Sequence, residues 1–241
     1  MINIEPLKWD SDFFKMRIGR ILIHQDDEFD PEEFKIQALK DFDLVYLFCL
    51  DKMLSQKNVT LADIDLVDIM MTVSMPFAKE QYTDWTYDFR NNLSNDELNK
   101  CYEIAENTST VSRFFTEKTI GPEKTMLLYR KWIDNAVQKS FSDGLFLAKD
   151  NNSVVGINLV KVDEEKNEGL ITLIGVDPNY KRLGLGNNLW KQAFGYFSNE
   201  TDIDKVKTSF SLLNKDSFNF HLKIGLNKIE EIKYIYHFRT I

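Results

Sequence analysis

One stretch of the chain, residues 170–190, restricts most strongly what the protein can fold into. It reads LITLIGVDPNYKRLGLGNNLW. An apolar, β-branched run leads through a turn with Pro178 and two basic residues into a helix-like pattern that begins near Gly184 and Gly186. The stretch therefore predicts a strand, a loop and a helix in direct succession.

The loop in this stretch has the properties of a phosphate site. The start of a helix leaves about four N–H groups unpaired and has roughly half a positive charge. Basic side chains add charge there, and glycines let an anion approach the backbone. An alternative is that the glycines only turn the chain. We predict a pyrophosphate cradle formed by Lys181, Arg182, Leu183, Gly184, Leu185, Gly186 and Asn187.

Two common phosphate motifs do not fit this loop. The dinucleotide fingerprint GxGxxG would need glycine at position 189, where the chain has Leu189. A P-loop would need Gly-Lys followed by Ser or Thr, and no such sequence follows the glycines. The bound group is therefore predicted to be neither a dinucleotide nor a nucleoside triphosphate.

The strand before the loop contains Gly175, which predicts either a bulge or a close backbone approach. A bulge would free the backbone N–H groups of Ile174, Gly175 and Val176 for a ligand and for an oxyanion. We expect Leu170, Thr172, Ile174 and Val176 to face one way. None of them is acidic, so we predict that Thr172 holds a water on the substrate side, and Glu168 is only a weak candidate for a general base.

Composition narrows the class of protein. The 241 residues can form one large or two small domains, and the 43% hydrophobic content supports a core. A net charge of −8 argues against nucleic acid and anionic membranes as partners. Cys49 and Cys101 lack metal-ligand spacing and are expected to be free, buried thiols, with no metal bound. Neither a signal peptide nor an apolar run of ~20 residues is evident, which favours the cytoplasm.

The chain as a whole predicts an α/β fold. Strands are expected at 17–24, 43–50 and 66–75, with a helix from Pro31 capped by Asp30 and a short turn capped by Thr60. The second half predicts a hairpin, then strand, helix, strand, helix and strand. No internal repeat is evident. We therefore predict an α/β region at 1–95, a packing or acceptor-side domain, and a second domain at 96–241.

The central stretch resembles the acetyl-CoA motif of the GNAT acetyltransferases. The similar residues are Val176, Asp177, Pro178, Tyr180, Lys181, Gly184, Leu185, Gly186 and Leu189. Lys181 stands where that family usually has glutamine or arginine. A second block is similar to the family's Asn-x-x-Ala-x-x-Phe-Tyr-x-x-x-Gly-Phe pattern through Asn214, Ser217, Phe220, His221, Gly225 and Leu226. This resemblance implies the GNAT fold, a mixed central sheet with flanking helices, and acetyl-CoA as co-substrate.

The second block implies roles for individual residues. Asn214 and Ser217 would bind the acetyl-CoA. His221 occupies the position of the tyrosine that protonates the leaving thiolate, and an imidazole can also act as a general acid. The alternative for His221 is an inert histidine packed against the sheet.

A narrower resemblance covers more of the chain. The segments IEPLKWDSDFF, SRFFTEK, LYRKWI and YHFRT look like those of the dTDP-fucosamine acetyltransferases, which acetylate a nucleotide-linked amino sugar for surface polysaccharides. This resemblance suggests a homodimer. Ser112 and Arg113 would then contact the acceptor, Arg113 by a bidentate bond to its pyrophosphate, and other basic residues should cluster near Arg113. The alternative for Arg113 is a surface arginine.

Three functions are compatible with the sequence. The first is acetyl transfer to a nucleotide-linked amino sugar. The second is the same reaction on another small amine, an amino acid or a protein N-terminus. The third is a non-catalytic CoA-binding module, which the histidine at 221 and the lack of a strand glutamate would allow.

Overall fold

The computed structural model describes residues 3–87, 92–138 and 142–240. There the chain forms one mixed sheet with helices on both faces, which confirms the predicted fold class. The strands are β1 (Glu5–Pro6), β2 (Ile18–Ile23), β3 (Leu44–Leu50), β4 (Ile64–Pro76), β5 (Gly144–Asp150), β6 (Ser153–Asp163), β7 (Glu168–Val176), β8 (Lys205–Ser211) and β9 (Lys228–Arg239). The helices are α1 (Lys8–Phe14), α2 (Pro31–Asp41), α3 (Gln56–Ala62), α4 (Asn95–Ser109), α5 (Arg113–Thr116), α6 (Gly121–Val137), α7 (Leu185–Glu200) and α8 (Lys215–Lys223).

The order of the strands reveals a repeat of topology. The sheet runs β1-β2-β3-β9-β4-β8-β7-β6-β5, with β2 parallel to β3 and β7 parallel to β8. Two segments therefore share one succession: β2-α2-β3-α3-β4, here called the first unit, and β7-α7-β8-α8-β9, the second unit. Each unit places its last strand beside the other unit's middle strand, because β9 pairs with β3 and β4 pairs with β8. The repeat is one of topology only, because the two units show no evident similarity of sequence.

This exchange joins the two predicted regions into one sheet. β4 lies between β8 and β9 and pairs with β8 from Met70–Ser211 to Pro76–Lys205. The regions 1–95 and 96–241 are thus connected by backbone hydrogen bonds in the middle of the sheet. Whether they are separate folding domains stays a prediction.

Local sequence signals account for several helix ends. The side chain of Asp30 accepts hydrogen bonds from the backbone at the start of α2, and Pro31 occupies its first turn. Ser94 and Glu97 form a capping box on α4. Gly225, with φ of +100°, follows α8.

The cap predicted at Thr60 is wrong. Helix α3 begins earlier, at Gln56, because the side chain of Ser55 accepts a hydrogen bond from the backbone N–H of Asn58. Thr60 lies inside the helix, where its hydroxyl donates to the carbonyl of Gln56. Ser and Thr can act in either way, and the earlier cap lengthens the helix by a turn.

Three apolar clusters hold the layers together. One lies under α4 and α6, one under α7, and one under α2, where Phe34 is fully buried. Cys49 and Cys101 are free and buried, as predicted, and burial raises the pKa of each thiol to about 12. Among the helices described, none is long and apolar enough to cross a membrane.

Candidate functional site

Strands β7 and β8 begin as neighbours and then separate. They pair only from Glu168–Lys205 to Ile171–Thr208, while β8 continues to pair with β4 as far as Ser211. Beyond Ile171, β7 keeps β6 on one side and has no strand on the other within the described residues. Backbone N–H and C=O groups on that edge can therefore bond to an extended, amide-bearing ligand.

A bulge in β7 lies at the point of separation. The pairing of β6 with β7 shifts register between Leu159 and Val160, which leaves Thr172 as the extra residue. Thr172 is exposed, and its hydroxyl donates to the carbonyl of Leu159 over 3.1 Å. A bulge bends the strand that carries it, so it accounts for the divergence of β7 from β8.

The bulge also changes which side chains share a face. Ile171, Ile174 and Val176 pack in the apolar cluster under α7, and Leu173 packs in the cluster under α4. Ile171 shares the cluster of Ile174 and Val176, so its neighbour Leu170 faces the other way, and the expectation that Leu170, Thr172, Ile174 and Val176 all face one way is wrong. The alternation of a regular strand does not continue through an extra residue.

Gly175 is explained by a close approach and not by a bulge. The pairing is regular at Gly175, opposite Ile157. A Cβ atom at Gly175 would lie 2.6 Å from Oγ1 of Thr108 and 3.0 Å from Cγ2 of Ile104, both on α4. Glycine therefore lets α4 pack directly on the strand.

The start of α7 is open to a ligand. Gly184 precedes the helix with φ of +82°, supplies no side-chain cap, and would place a Cβ atom in free space. The N–H groups of Leu185, Gly186 and Asn187 have no carbonyl within the helix to bond to. These features fit the pyrophosphate of acetyl-CoA, since a helix start with free N–H groups binds anions.

The remaining residues of the loop have different roles. A Cβ atom at Gly186 would lie 2.9 Å from the ring of Phe220, so this glycine is needed for packing against α8. Nζ of Lys181 is 3.5 Å from a carboxylate oxygen of Asp216 on α8, and both side chains are mostly exposed. Arg182 has φ of +66°, and Leu183 is exposed.

Asn214 and Ser217 are brought to the same end of the sheet. Oδ1 of Asn214 accepts the backbone N–H of Ser217 over 3.1 Å and thereby caps α8. The carbonyl of the Asn214 side chain is thus committed to the cap. Its Nδ2 hydrogens have no acceptor within the described residues and are available to donate to a ligand.

His221 is enclosed by aromatic rings. It is 2% exposed, stacks on Phe210 at 4.9 Å and meets Trp190 edge-on at 6.0 Å. Nδ1 donates to the carbonyl of Ser217 over 2.8 Å, and Nε2 is buried without a partner in the described part of the chain. Burial lowers the pKa of His221 to about 4, although the bond to Ser217 opposes this. A neutral ring with its hydrogen on Nδ1 does not favour proton donation from Nε2, and the acid role stays a prediction.

Glu168 is committed to lysines. Its carboxylate lies 2.6 Å from Nζ of Lys207 and 3.3 Å from Nζ of Lys205. Burial acts to raise the pKa of Glu168, but the hydrogen bonds from Lys207 and Lys205 outweigh it and hold the pKa below its ordinary value. This arrangement does not favour Glu168 as the base. No group of three His, Cys, Asp or Glu side chains that could hold a metal occurs among the described residues.

Ser112 and Arg113 lie on the other face of the sheet, at α5. Ser112 caps this helix, and the guanidinium of Arg113 lies 4.1 Å from the centre of the Phe114 ring and 5.7 Å from that of Tyr46. Arg113 makes no ion pair within the described residues, and its Nε is buried without a partner. Burial lowers the pKa of Arg113, whereas Tyr46 and Asp68 act to raise it. Within the described residues, the charged groups that act on this side chain are Asp68 and, more weakly, Asp10, and the expected cluster of basic residues is not among them.

Asp68, on β4, was not singled out in the sequence. It is 5% exposed, and its Oδ1 accepts a hydrogen bond from the hydroxyl of Ser211 over 2.6 Å. The available signal was a single carboxylate in the apolar run LVDIMM. One carboxylate in an apolar run does not by itself indicate chemistry, because its partners, Ser211 and Arg113, come from distant parts of the chain.

A family model and several curated proteins match part of this chain. The model of the acetyltransferase (GNAT) family matches residues 96–226. Human N-alpha-acetyltransferase 30 is 30% identical over 127 residues, which cover 52% of this chain and 33% of the human protein. The chain therefore spans about a third of the length of that relative.

Solved structures share the fold. A functionally unknown conserved protein from Staphylococcus epidermidis ATCC 12228 has a TM-score of 0.63 at 9% identity, covering 93% of this chain and 85% of its own. A tandem GNAT protein from the clavulanic acid biosynthesis pathway has a TM-score of 0.52 at 11% identity, covering 94% and 78%. At these identities the likeness concerns the fold alone. The family model, however, spans more than half of the sequence and includes β7, α7, β8 and α8, and the chain therefore belongs to the acetyltransferase (GNAT) family.

Proposed function

We propose that the protein is an N-acetyltransferase that moves the acetyl group of acetyl-CoA to a primary amine. The observation that carries this proposal is the open edge of β7 beside the uncapped start of α7. The family uses acetyl-CoA. In our proposal, the N–H groups from Leu185 to Asn187, with Lys181 and Arg182, bind the pyrophosphate.

The thioester end would be held by β7 and α8. Backbone groups of Ile174, Gly175 and Val176 on the open edge, with Nδ2 of Asn214, would bond to the amides of the pantetheine. An N–H group aimed at the thioester oxygen would stabilise the negative charge that develops there, by about 3 kcal/mol.

For the acceptor, we propose a nucleotide-linked amino sugar. The supporting observation is a cavity of about 480 Å³ between α1, α4 and α6, lined by Phe13, Phe14, Lys15, Tyr102, Lys124, Leu127, Arg130, Lys131 and Asp134. Four basic side chains together are notable in a chain of net charge −8, and Trp9 stacks on Phe13 at 5.1 Å. Such a site suits a nucleotide, since aromatic rings stack on bases and cations pair with phosphates. Phe14, which lines this cavity, has its ring centre 6.0 Å from that of Phe114 on α5.

Thermal unfolding with dTDP and acetyl-CoA, alone and together, tests this proposal. We expect each ligand to raise Tm, because a ligand that binds only the folded state stabilises it. Lys131→Ala should remove most of the dTDP shift and keep the acetyl-CoA shift, and Lys57→Ala, at an exposed position on α3, is the matched control. No stabilisation of the wild-type protein by dTDP would count against the nucleotide sugar.

A second acceptor class is a protein N-terminus. It is favoured by the name of the human relative and by the carboxylates near Arg113, which suit a cationic amine. Release of CoA thiol with short peptides, compared with a dTDP-linked amino sugar, separates the two. Binding of acetyl-CoA without turnover on any amine would instead favour a non-catalytic CoA-binding module. The homodimer and the cytoplasmic location stay predictions, and light scattering tests the first.

A further inference from the structure

We infer that Asp68 is the carboxylate that receives the amine of the acceptor and takes its first proton. This inference rests on the proposed acetyl transfer and supplies a general base, a role that the ion pairs of Glu168 do not favour. Asp68 comes from β4, the strand that the first unit contributes to the middle of the sheet.

The surroundings of Asp68 leave its charge poorly compensated. The side chain is buried, yet it forms no ion pair with a cation in the described residues. Its hydrogen bond to Ser211 engages only Oδ1. Oδ2 has no partner in the described part of the chain and is not among the enclosed polar atoms, so it reaches solvent. A buried carboxylate with one neutral partner is costly, which makes a purely structural role a poor explanation.

The register of the strands places Asp68 at the level of the open β7 edge. The last pair of β7 and β8 is Ile171–Thr208. Because Thr172 is the extra residue of the bulge, the third register position beyond this pair holds Gly175 on β7, a residue proposed to bind the pantetheine, and Ser211 on β8, the partner of Asp68. The carboxylate is therefore bound to the residue of β8 that lies across the opening from Gly175.

A second bulge turns Asp68 toward the acceptor side. The pairing of β4 with β9 skips Val67, between Leu66 and Asp68. Sδ of Met70, two residues further along β4, lies 3.9 Å from Nη1 of Arg113. Because residues two apart share a face of a strand, Asp68 and Arg113 lie on the same side of the sheet. On the opposite face of β4, Met71 packs in the apolar cluster under α7.

The groups around Asp68 come from several elements. Arg113 on α5 and Tyr129 on α6 interact with it electrostatically, and Asp10 on α1 and Tyr46 on β3 lie around Arg113. Arg113 is the cation among them. It would contact an anionic part of the acceptor, while Asp68 contacts the amine.

The acceptor ammonium gives one proton to Asp68 and becomes a neutral amine. Its nitrogen then bonds to the thioester carbonyl carbon, the carbon–sulfur bond breaks, and the second proton of the nitrogen ends on the departing sulfur. Asp68 returns its proton to water through Oδ2, so the products are the acetylated amine, CoA thiol and one proton.

The test compares Asp68→Asn with Asp65→Asn, an exposed position on the same strand. With the best amine acceptor found for the wild-type protein, we expect Asp68→Asn to lower kcat/KM for that acceptor by about 100-fold at pH 7 and to leave the KM for acetyl-CoA unchanged. The deficit should shrink as the pH is raised to about 9.5, because more of the acceptor is then already neutral. Asp65→Asn should behave as wild type.

Three outcomes overturn the inference. One is a kcat/KM of Asp68→Asn within twofold of wild type, and another is a loss that is equal at every pH although Tm is preserved. Both leave the proposed function intact, whereas failure of the wild-type protein to acetylate any amine overturns the proposed function as well. If Asp68→Asn does not fold, Ser211→Ala serves instead. It should lower kcat/KM several-fold with the same pH trend, and wild-type activity would overturn the inference.

Discussion

The two units of the molecule share one topology but differ in what they can bind. In the first unit, β2 pairs with β3 along its whole length, from Ile18–Leu44 to Ile23–Cys49. In the second unit, β7 pairs with β8 only up to Ile171–Thr208. The bulge at Thr172 distinguishes β7, and β2 has no equivalent irregularity in its pairing with β3. One extra residue therefore decides whether the pair of strands is closed or open to a ligand.

The loops after the first strands differ as well. In the first unit the loop is rich in carboxylates, and Oδ1 of Asp30 accepts the N–H groups of Glu32 and Glu33. The helix start is thus already capped and would repel an anion. In the second unit the corresponding position is Gly184, which leaves the N–H groups free. Local residues, and not topology, therefore account for the proposed anion site.

Separating the units should have the largest effect. We expect residues 96–241 alone not to fold cooperatively, because β8 would lose all its pairs with β4, and β9 would lose β4 and β3. Circular dichroism and urea unfolding would measure this, and co-expression with residues 1–95 should restore the fold. A cooperative transition of the isolated fragment would instead support a separate domain at 96–241.

A fall in pH should lower the stability of the whole fold through His221 of the second unit. The buried residue of α8 is His221, whereas that of α3 is Ala62. The pKa of His221 is about 4 in the folded protein, below the ordinary value of 6.5. As the pH falls, this imidazole therefore binds a proton in the unfolded chain before it does so in the folded protein. Stability should therefore drop between pH 6.5 and pH 4, by up to about 3 kcal/mol from this group.

His221→Phe should remove that part of the acid sensitivity, as measured by urea unfolding at several pH values. His24→Phe, at an exposed position, is the control. The same variant tests the acid role. The neutral, enclosed ring leads us to expect turnover at pH 7 within about tenfold of wild type, whereas a general acid requires a loss of ~100-fold or more.

Giving the second unit the cap of the first should close its anion site. Gly184→Asp places a carboxylate on the free N–H groups and also forces a side chain into a backbone with φ of +82°. We expect the Kd for acetyl-CoA to rise at least ~30-fold, because the carboxylate occupies the free N–H groups and repels the negatively charged pyrophosphate. Calorimetry measures it, with Asp30→Gly as the reciprocal control that leaves the Kd unchanged. A Kd within threefold of wild type would contradict the cradle.

The smallest expected effect concerns two similar ion pairs. Lys181 lies 3.5 Å from Asp216 in the second unit, and Lys35 lies 3.7 Å from Asp63 in the first. Lys181→Ala should weaken acetyl-CoA binding about threefold to fivefold, and more at low salt, because exposed charges are screened. Lys35→Ala should leave the affinity unchanged. Equal effects of the two substitutions would mean that Lys181 does not contact the ligand.

Local structure was largely predictable from the sequence. The strand, loop and helix across 170–190 follow from a change of hydrophobic period at Pro178 and the glycines, and Asp30 caps the helix that it was expected to cap. Each of these signals acts within a few residues. Propensity and capping are sufficient to interpret them.

Long-range features were not predictable in the same way. The exchange of β4 and β9 depends on pairs such as Met70–Ser211, and nothing near either residue specifies its partner. The bulge at Thr172 also depends on the neighbouring strand, since Thr172 itself is an ordinary strand residue. Asp68 was missed for the same reason, because its setting is made by Ser211 and Arg113 from distant parts of the chain.

The exchange of β4 and β9 also affects how the chain folds during its synthesis. β4 ends at Pro76, and its partner strand β8 begins only at Lys205. At roughly 5–20 residues per second, β4 leaves the ribosome on the order of ten seconds before either neighbour exists. An unpaired apolar strand can join other chains during that interval, and a charge within it opposes such pairing. The carboxylate of Asp68 would then oppose aggregation of the nascent strand before the protein has folded and can bind an acceptor.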